Sequence, residues 1–230
     1  YPGILAGREI VSAKGHGMFV DICFDENVFL TIGDGTNMRY HTPSAQPPDS
    51  YQLLLTFDDE SFISLNVAMY GGIWAYKRHL DNKYHVRSLN SISPPDDDFS
   101  ESFFRKLVLK ESKDLSAKAL LATEQRIPGL GNGVLQDILF NAGIHPKRKK
   151  SGFSDPELHK LFQSIKLTLK RMTDLGGRDT EKDLFGQSEK YKTLLSKNTV
   201  NQPCTVCGTP IRKEAYLGGA IYYCPSCQKL

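Results

Sequence analysis

The last 27 residues of this 230-residue chain carry four of its five cysteines, and their spacing limits the fold more than any other feature. The pattern is C-x2-C, sixteen residues, C-x2-C, formed by Cys204, Cys207, Cys224 and Cys227. Two residues between cysteines allow one tight turn to direct two thiolates to a common point. Four thiolates complete the closed tetrahedral shell of a structural zinc ion. Two disulfides are the weaker alternative, because no secretory signal is visible. We therefore predict one structural zinc ion.

The residues between the two cysteine pairs predict a β-hairpin. The runs TPIRKEAY and AIYYC are typical of strands, and Leu217-Gly218-Gly219 is typical of a turn. Small ribbons of this kind bind nucleic acids, bind protein partners, or only stabilise a fold. The spacing by itself therefore predicts the metal and leaves the role of the hairpin open.

Charge is divided unequally along the chain. Residues 1–100 contain 7 Lys/Arg and 13 Asp/Glu, a net charge of −6, whereas residues 101–230 contain 22 and 13, a net charge of +9. A basic half beside an acidic half favours a polyanionic partner for the second half. With 40% hydrophobic residues the composition is that of a globular protein, and no apolar run approaches the length of a membrane span.

The periodicity of the apolar residues changes near residue 95. Before it, short alternating runs separated by turns predict an antiparallel β-sandwich or barrel. After the polar, proline-bearing SPPDDD segment, apolar residues recur at helical spacing, and Ser154 with Glu157 forms a capping-box pattern. The sequence therefore predicts four parts: a β domain over 1–92, a linker over 93–98, a helical domain over 99–200 and the zinc hairpin over 201–230.

The stretch TEQRIPGLGNGVLQDILFNAGIHP, residues 123–146, predicts one helix ending and another beginning across a glycine-rich turn. Gly131 permits close approach of the backbone to a ligand. Asn132 is expected to cap the new helix with its side chain. A helix N-terminus offers free N–H groups and the positive end of a dipole, which suits a phosphate. A tight inter-helical turn with a capping asparagine explains the same residues equally well.

The GLGN turn followed by ILFNAGIHP, together with the cysteine hairpin ending CQK, resembles the formamidopyrimidine-DNA glycosylase / endonuclease VIII family. The resemblance covers nearly the whole chain and is looser over the β domain. It implies a multi-domain α+β fold, with an N-terminal antiparallel β-sandwich, a helix–two-turn–helix domain and a C-terminal β-hairpin zinc finger. It also implies a base-excision-repair function. Members remove oxidised bases that they flip out of duplex DNA, and as AP lyases they cut the abasic strand.

The resemblance also implies where the chemistry lies. In the family an N-terminal proline amine attacks the sugar, and the adjacent glutamate transfers protons. This chain begins with Tyr1 instead of Met, so we expect an N-terminal piece carrying both residues to lie upstream. Pro2 is no substitute, because its nitrogen is in a peptide bond. No catalytic residue is therefore expected among these 230.

Several DNA contacts follow from the same resemblance, and two of them depart from the family. A family lysine that contacts phosphate aligns with His16, with Lys14 two residues away, and the arginine of the zinc finger aligns with Gly219. Residues that fill the duplex would lie near Met69 and Tyr70, for which strand-end packing is the alternative. The expected DNA-binding residues are Lys14, His16, Met69, Tyr70, Gly131, Asn132 and Gly219.

The expected partner is duplex DNA with a damaged or abasic site. We expect a monomeric cytoplasmic protein without a membrane segment, associated with the nucleoid if it is bacterial. The departures at His16 and Gly219 leave open a second function, a damage-binding module without catalysis. A more remote alternative is an RNA- or ribosome-associated zinc protein.

Overall fold

Two compact units make up the part of the chain that the computed structural model describes, residues 1–68 and 70–230. The first unit contains residues 1–90 and 181–188, and the second contains residues 91–180 and 189–230. Met69 lies outside the described residues. The arrangement of helices and sheets is α+β, as the sequence predicts.

Alternating apolar and polar residues produce two antiparallel sheets in the first unit. One sheet has the strand order β1-β2-β3-β7 and the other has the order β4-β6-β5. The strands are β1 (Ile10–His16), β2 (Phe19–Phe24), β3 (Val28–Gly33), β4 (Thr36–His41), β5 (Leu53–Thr56), β6 (Phe62–Val67) and β7 (Ile73–Lys77). The unit also contains two short helices, α1 (Pro2–Leu5) and α2 (Lys83–Leu89).

One apolar core lies between these two sheets. Leu30 on β3 and Leu65 on β6 are fully buried in it. The turn Asp58-Asp59-Glu60 joins β5 and β6, which pair antiparallel on either side of it. Strand β1 and helix α2 are not predicted from the sequence. Strand β1 is almost entirely exposed, so its sequence does not alternate between apolar and polar residues. Helix α2 has only seven residues, too few to show a helical period.

Helices with one apolar face form the second unit. They are α3 (Glu101–Lys110), α4 (Ala117–Ala122), α5 (Asn132–Ala142) and α6 (Asp155–Asp174). Their apolar faces share one core, in which Leu120, Leu135 and Leu161 are fully buried. Helix α5 ends at Gly143, which has a φ of 74° and so takes the left-handed conformation that favours glycine. None of the helices among the described residues is long and apolar enough to cross a bilayer.

The last two strands, β8 (Arg212–Tyr216) and β9 (Gly219–Tyr223), pair antiparallel as the predicted hairpin. A small apolar cluster fixes the hairpin to the helices, because Phe140 of α5 packs with Ile211 and Cys224. The hairpin therefore packs against α5, a helix whose other apolar residues lie in the main core.

The start of α6 supplies a test of stability. Its predicted capping box is confirmed, since the backbone N–H of Ser154 donates to Glu157 Oε2 at 2.9 Å. Arg148 donates to the same carboxylate at 2.5 and 3.0 Å. These hydrogen bonds, first that from Arg148, lower the pKa of Glu157 from 4.5 to about 2. A carboxylate whose pKa is lower in the folded state stabilises the fold above the unfolded value and loses that effect as pH falls toward the folded value.

We expect Glu157→Gln to lower the free energy of unfolding at neutral pH by about 1–2 kcal/mol. The difference from the parent should shrink as pH falls from 4.5 and vanish below about pH 2, where the parent carboxylate is also protonated. Urea unfolding followed by far-UV circular dichroism at several pH values measures this. Asp49→Asn, at an exposed loop carboxylate, is the control. A pH-independent difference would show that the charge of Glu157 has no role.

Candidate nucleic-acid interface and cysteine cluster

The four terminal cysteines meet at one point. Their sulfur atoms lie within 4.8 Å of one another and none is in a disulfide. Cys204 Sγ is 3.9 Å from Cys227 Sγ, and Cys207 Sγ is 3.4 Å from Cys224 Sγ. A tetrahedral ion with Zn–S bonds of about 2.3 Å places its sulfurs about 3.8 Å apart. The cluster therefore has the donor set and the spacing to hold one metal ion.

Local hydrogen bonds prepare this cluster for a cation. The backbone N–H of Val206 donates to Cys204 Sγ at 3.4 Å, as expected in a C-x2-C turn. Hydrogen bonds from Thr209, as the largest cause, lower the pKa of Cys207 to about 6, so this sulfur is a thiolate at neutral pH. Burial raises the pKa of Cys224. A metal ion is the group that would keep such a buried sulfur ionised.

A buried lysine lies beneath the tip of the hairpin. Lys118 on α4 is only 3% exposed, and its Nζ donates to the carbonyl oxygen of Tyr216 on β8 at 2.6 Å. Burial lowers the pKa of Lys118. Within residues 1–68 and 70–230, no carboxylate offsets this effect of burial on the pKa of Lys118. A buried ammonium group with one carbonyl partner has further donors to offer, and an anion is the partner that would offset its desolvation.

Asn132 and Gly219 come together with this lysine. A Cβ atom placed on Gly219 would lie 3.5 Å from Lys118 Nζ and 3.6 Å from Asn132 Nδ2. Three positions distant in sequence therefore form one cluster, which we call the cradle: Lys118, the Gly131-Asn132 turn and Gly219. Gly131, Asn132 and Gly219 are predicted as site residues from the sequence, but Lys118 is not. Its neighbours SAKALLA are typical of an ordinary helix, and its partner lies 98 residues further along the chain.

The prediction that Asn132 caps α5 is wrong. Gly131 is the N-cap residue and Asn132 is the first residue of the helix, without a capping hydrogen bond from the side chain. Its Nδ2 instead donates to the carbonyl oxygen of Ala220 on β9 at 2.9 Å. The hairpin supplies an acceptor that competes with the helix end for this side chain. Because Gly131 brings no side chain, the first N–H groups of α5 have no capping oxygen from it.

Two further groups shape the cradle. Gln136, one turn into α5, is 2% exposed and accepts a hydrogen bond from the Tyr222 N–H at 3.1 Å, while its Nε2 contacts the Ala220 carbonyl oxygen at 3.3 Å. The guanidinium of Arg178 lies directly against Gly133, where an added Cβ would be 2.1 Å from Nη1. Any larger residue at Gly133 would displace this cation, so the glycine permits a close approach.

The remaining expected DNA-binding residues belong to the first unit. Lys14 is exposed on β1, opposite Asp21 of β2. Tyr70 is 87% exposed, so the alternative of strand-end packing does not describe it. Met69, the other residue predicted to fill the duplex, lies outside the described residues. His16 ends β1 with both ring nitrogens engaged, Nδ1 with Ser88 Oγ at 3.0 Å and Nε2 with Asp21 Oδ2 at 2.8 Å.

Asp21 is the centre of a polar cluster on this sheet that is not predicted from the sequence. Its carboxylate also lies 3.0 Å from His85 Nε2 on α2 and accepts from the Thr31 hydroxyl at 2.5 Å. Burial raises the pKa of Asp21, but the hydrogen bonds from Thr31, His16 and His85 outweigh it, and the net shift is downward. Asp21 is therefore an anion held between two imidazoles.

Comparison with known proteins assigns these features to one family. The formamidopyrimidine-DNA glycosylase H2TH domain matches residues 91–183. The formamidopyrimidine-DNA glycosylase of Prochlorococcus marinus is 30% identical over 83% of this chain and 67% of its own length. That of Cytobacillus firmus is 26% identical over 98% of this chain and 83% of its own length. The match thus includes the first unit as well as the helices.

Solved structures agree on the fold. The MutM (Fpg) protein of Thermus thermophilus superposes with a TM-score of 0.83 at 21% identity, covering 98% of this chain and 85% of its own. The Lactococcus lactis Fpg, solved as a complex with abasic-site DNA, superposes with a TM-score of 0.84 at 23% identity, covering 98% and 84%. From its fold, its H2TH segment and its relatives, the chain belongs to the formamidopyrimidine-DNA glycosylase family.

Proposed function

We propose that this protein acts in DNA base-excision repair, as a DNA N-glycosylase and AP lyase that binds duplex DNA at damaged or abasic sites. Family membership supports the class of reaction, since the curated relatives are named for it. The solved relative with abasic-site DNA supports the class of partner. The observation that carries the proposal in this chain is the cradle, because it supplies the chemistry that a DNA phosphate requires.

The cradle is suited to one phosphate group of the DNA backbone. Lys118 offers a buried positive charge, and α5 offers the N–H groups of its first turn and the positive end of its dipole. A hydrogen bond between charged groups is about twice as strong as one between neutral groups. Contacts with phosphate position a protein on DNA without reading its sequence. An enzyme that searches any sequence for a damaged base needs this kind of contact.

In the first unit we propose Lys14, His16, Met69 and Tyr70 as further DNA contacts. Tyr70 is well suited to stack in the space left by a flipped base, because almost its whole ring is exposed. His16 is the weakest of these, since a phosphate would have to replace Ser88 or Asp21 as its partner. Lys14, being exposed, is the better donor on β1.

We also propose that the cysteine cluster holds zinc in a structural role. Four thiolates fill a tetrahedral shell and leave no position for water or substrate. We further propose that the protein is a monomer with four parts, residues 1–92, 93–98, 99–200 and 201–230. The catalytic step is assigned to none of these 230 residues, and the nitrogen of Pro2 remains in its peptide bond with Tyr1.

Fluorescence anisotropy with three labelled duplexes of one sequence tests the proposal. The duplexes are undamaged DNA, DNA with a tetrahydrofuran abasic analogue, and RNA. We expect the abasic DNA to bind most tightly, with log K falling steeply as log salt rises, by a slope of about −0.9 for each phosphate contact. Equal affinity for all three would contradict a repair function. Preference for RNA would favour the ribosome-associated alternative, and abasic binding without any strand cutting by the natural gene product would favour the binding module.

Gly219→Arg is expected to tighten DNA binding. Its Cβ would meet its neighbours at ordinary van der Waals distances, so the hairpin has room for the side chain. The added guanidinium would lie near Lys118, where two cations repel each other unless an anion lies between them. We expect about tenfold tighter abasic-duplex binding at low salt and a salt slope steeper by about 0.9. Anisotropy at several salt concentrations measures both.

The matched control is Gly208→Arg, which places the same charge on the hairpin at an open position outside the cradle. Its φ of 75° adds backbone strain, so zinc content is measured in both variants. Tighter binding by Gly219→Arg alone supports the cradle. The same affinity and slope in the parent and Gly219→Arg would show that this end of the hairpin does not face DNA.

A further inference from the structure

The cluster around Asp21 has the donor set of a metal site. The ligand atoms of His16, Asp21 and His85 lie within 4.8 Å of one another, and among the described residues only the four cysteines form another such group. Asp21 Oδ2 is 2.8 Å from His16 Nε2 and 3.0 Å from His85 Nε2. We propose that these three residues bind one divalent transition metal ion of the zinc type, at a site separate from the cysteines.

The geometry requires only small shifts to accept an ion. Zn–N and Zn–O bonds of about 2.0–2.1 Å place tetrahedral ligands about 3.3 Å apart. The present separations are a few tenths of an ångström shorter. The chelating atoms come from elements held in place independently. His16 and Asp21 lie on paired strands, and the N–H of His85 donates to the Asn82 side chain that caps α2.

The donor types and their charge select the ion. Two imidazoles and one carboxylate suit zinc, cobalt and iron, and are too nitrogen-rich for magnesium or calcium. The Asp21 carboxylate supplies one negative charge, which attracts a divalent cation. All three side chains are largely buried, with 10%, 14% and 4% exposure for His16, Asp21 and His85. Buried anions of this kind are stabilised by pairing or by coordination to a metal.

The partners behind the ligands orient them toward a common centre. Ser88 Oγ lies 3.0 Å from His16 Nδ1 and donates to the His16 carbonyl oxygen at 2.9 Å, which fixes the orientation of the ring. An ion would replace the proton between His16 Nε2 and Asp21 Oδ2. The Thr31 hydroxyl donates to Asp21 Oδ1 and leaves Oδ2 for the same centre. Outer hydrogen bonds of this kind are typical of metal-binding histidines and carboxylates.

His85 lacks such an outer partner, because its Nδ1 is buried without one in the described structure. Loss of one outer hydrogen bond costs about 10–100-fold in metal affinity. We therefore expect micromolar binding, weaker than that of the cysteine cluster. Three protein ligands leave a fourth position for water or an external oxygen ligand. The site does not depend on the proposed repair function.

Cobalt(II) titration of the full chain, with zinc already bound at the cysteines, tests the proposal. We expect one further cobalt ion per chain, with the weak visible bands of nitrogen and oxygen ligands and without thiolate-to-cobalt charge transfer. Asp21→Asn and His85→Gln should each weaken this binding at least tenfold. His41→Asn is the matched control, since His41 is a half-buried histidine of the other sheet bonded to Ser64.

Retained zinc and an unchanged far-UV circular dichroism spectrum establish that the variants fold. X-ray absorption at the zinc edge of the parent protein loaded with two zinc ions provides a measurement without mutation. Nitrogen and oxygen neighbours beside the sulfur shell would support the second site. No further cobalt bound at millimolar concentration, equal binding by Asp21→Asn and the parent, or a shell of sulfur alone would overturn it.

Discussion

Lys118→Met should weaken binding to an abasic duplex by about 10–100-fold and leave the fold at least as stable. A hydrogen bond to a charged group contributes about 1.5–3 kcal/mol, and the substitution removes the only buried ammonium of the cradle. The salt slope should become shallower by about 0.9, the value for one phosphate. Stability should not fall, since Met fills a similar volume and removes a charge that is buried away from carboxylates.

The combination of lower affinity with unchanged or higher thermal stability is what separates a binding role from a structural one. Lys106→Met, on the exposed face of α3, is the matched control, because it changes the net charge equally. Anisotropy at several salt concentrations and thermal unfolding measure the two effects. If both variants bind alike, the long-range charge of the second unit attracts DNA and Lys118 makes no direct contact. A large loss of stability in Lys118→Met alone would mean that its bond to Tyr216 is structural.

Loss of the metal should have an effect of similar size by another route. Cys224 is fully buried and belongs to the apolar cluster that joins the hairpin to Phe140. We expect Cys224→Ser to lose the metal ion proposed at the cysteines and to unfold residues 201–230, while the helices keep their own core. DNA binding should then fall by at least tenfold, because Asn132 and Lys118 lose the hairpin carbonyl groups that fix their positions.

The fifth cysteine provides the control for this experiment. Cys23→Ser changes a half-buried residue of the first unit and should keep the proposed metal ion. Metal analysis, limited proteolysis with mass spectrometry and far-UV circular dichroism distinguish the outcomes. We expect cleavage confined to the last 30 residues in Cys224→Ser and helical signal close to the parent. Global unfolding would show that the metal stabilises the whole second unit, and intact DNA affinity would contradict the cradle.

The features that can be predicted from the sequence depend on local signals, and those that cannot depend on contacts between distant residues. The cysteine spacing, the hairpin and the capping box at Ser154 are each encoded within about 25 residues, and each is present in the structure. Helix α2 has an asparagine cap but only seven residues, too few for a periodic signal.

The cradle and the Asp21 cluster depend on contacts between distant parts of the chain. Lys118 meets Tyr216 across 98 residues, and Asp21 meets His85 across 64. No local sequence pattern identifies Lys118 or His85 as a site residue, since each is surrounded by ordinary helical sequence. Asn132 shows the converse case, because its local pattern predicts a cap and a hairpin 88 residues away takes the side chain instead.

Gln136 has a consequence for the behaviour of the protein in crowded solution. A two-stranded hairpin exposes unpaired backbone N–H and C=O groups along the outer edge of each strand, and another chain can pair with such an edge. The carboxamide of Gln136 bonds the Ala220 carbonyl oxygen and the Tyr222 N–H, the same pair of groups that the next strand of a sheet would occupy. The Gln136 side chain therefore occupies the backbone groups of β9 that a third strand would use. A neighbouring copy of the chain cannot pair with this edge of the hairpin at these residues.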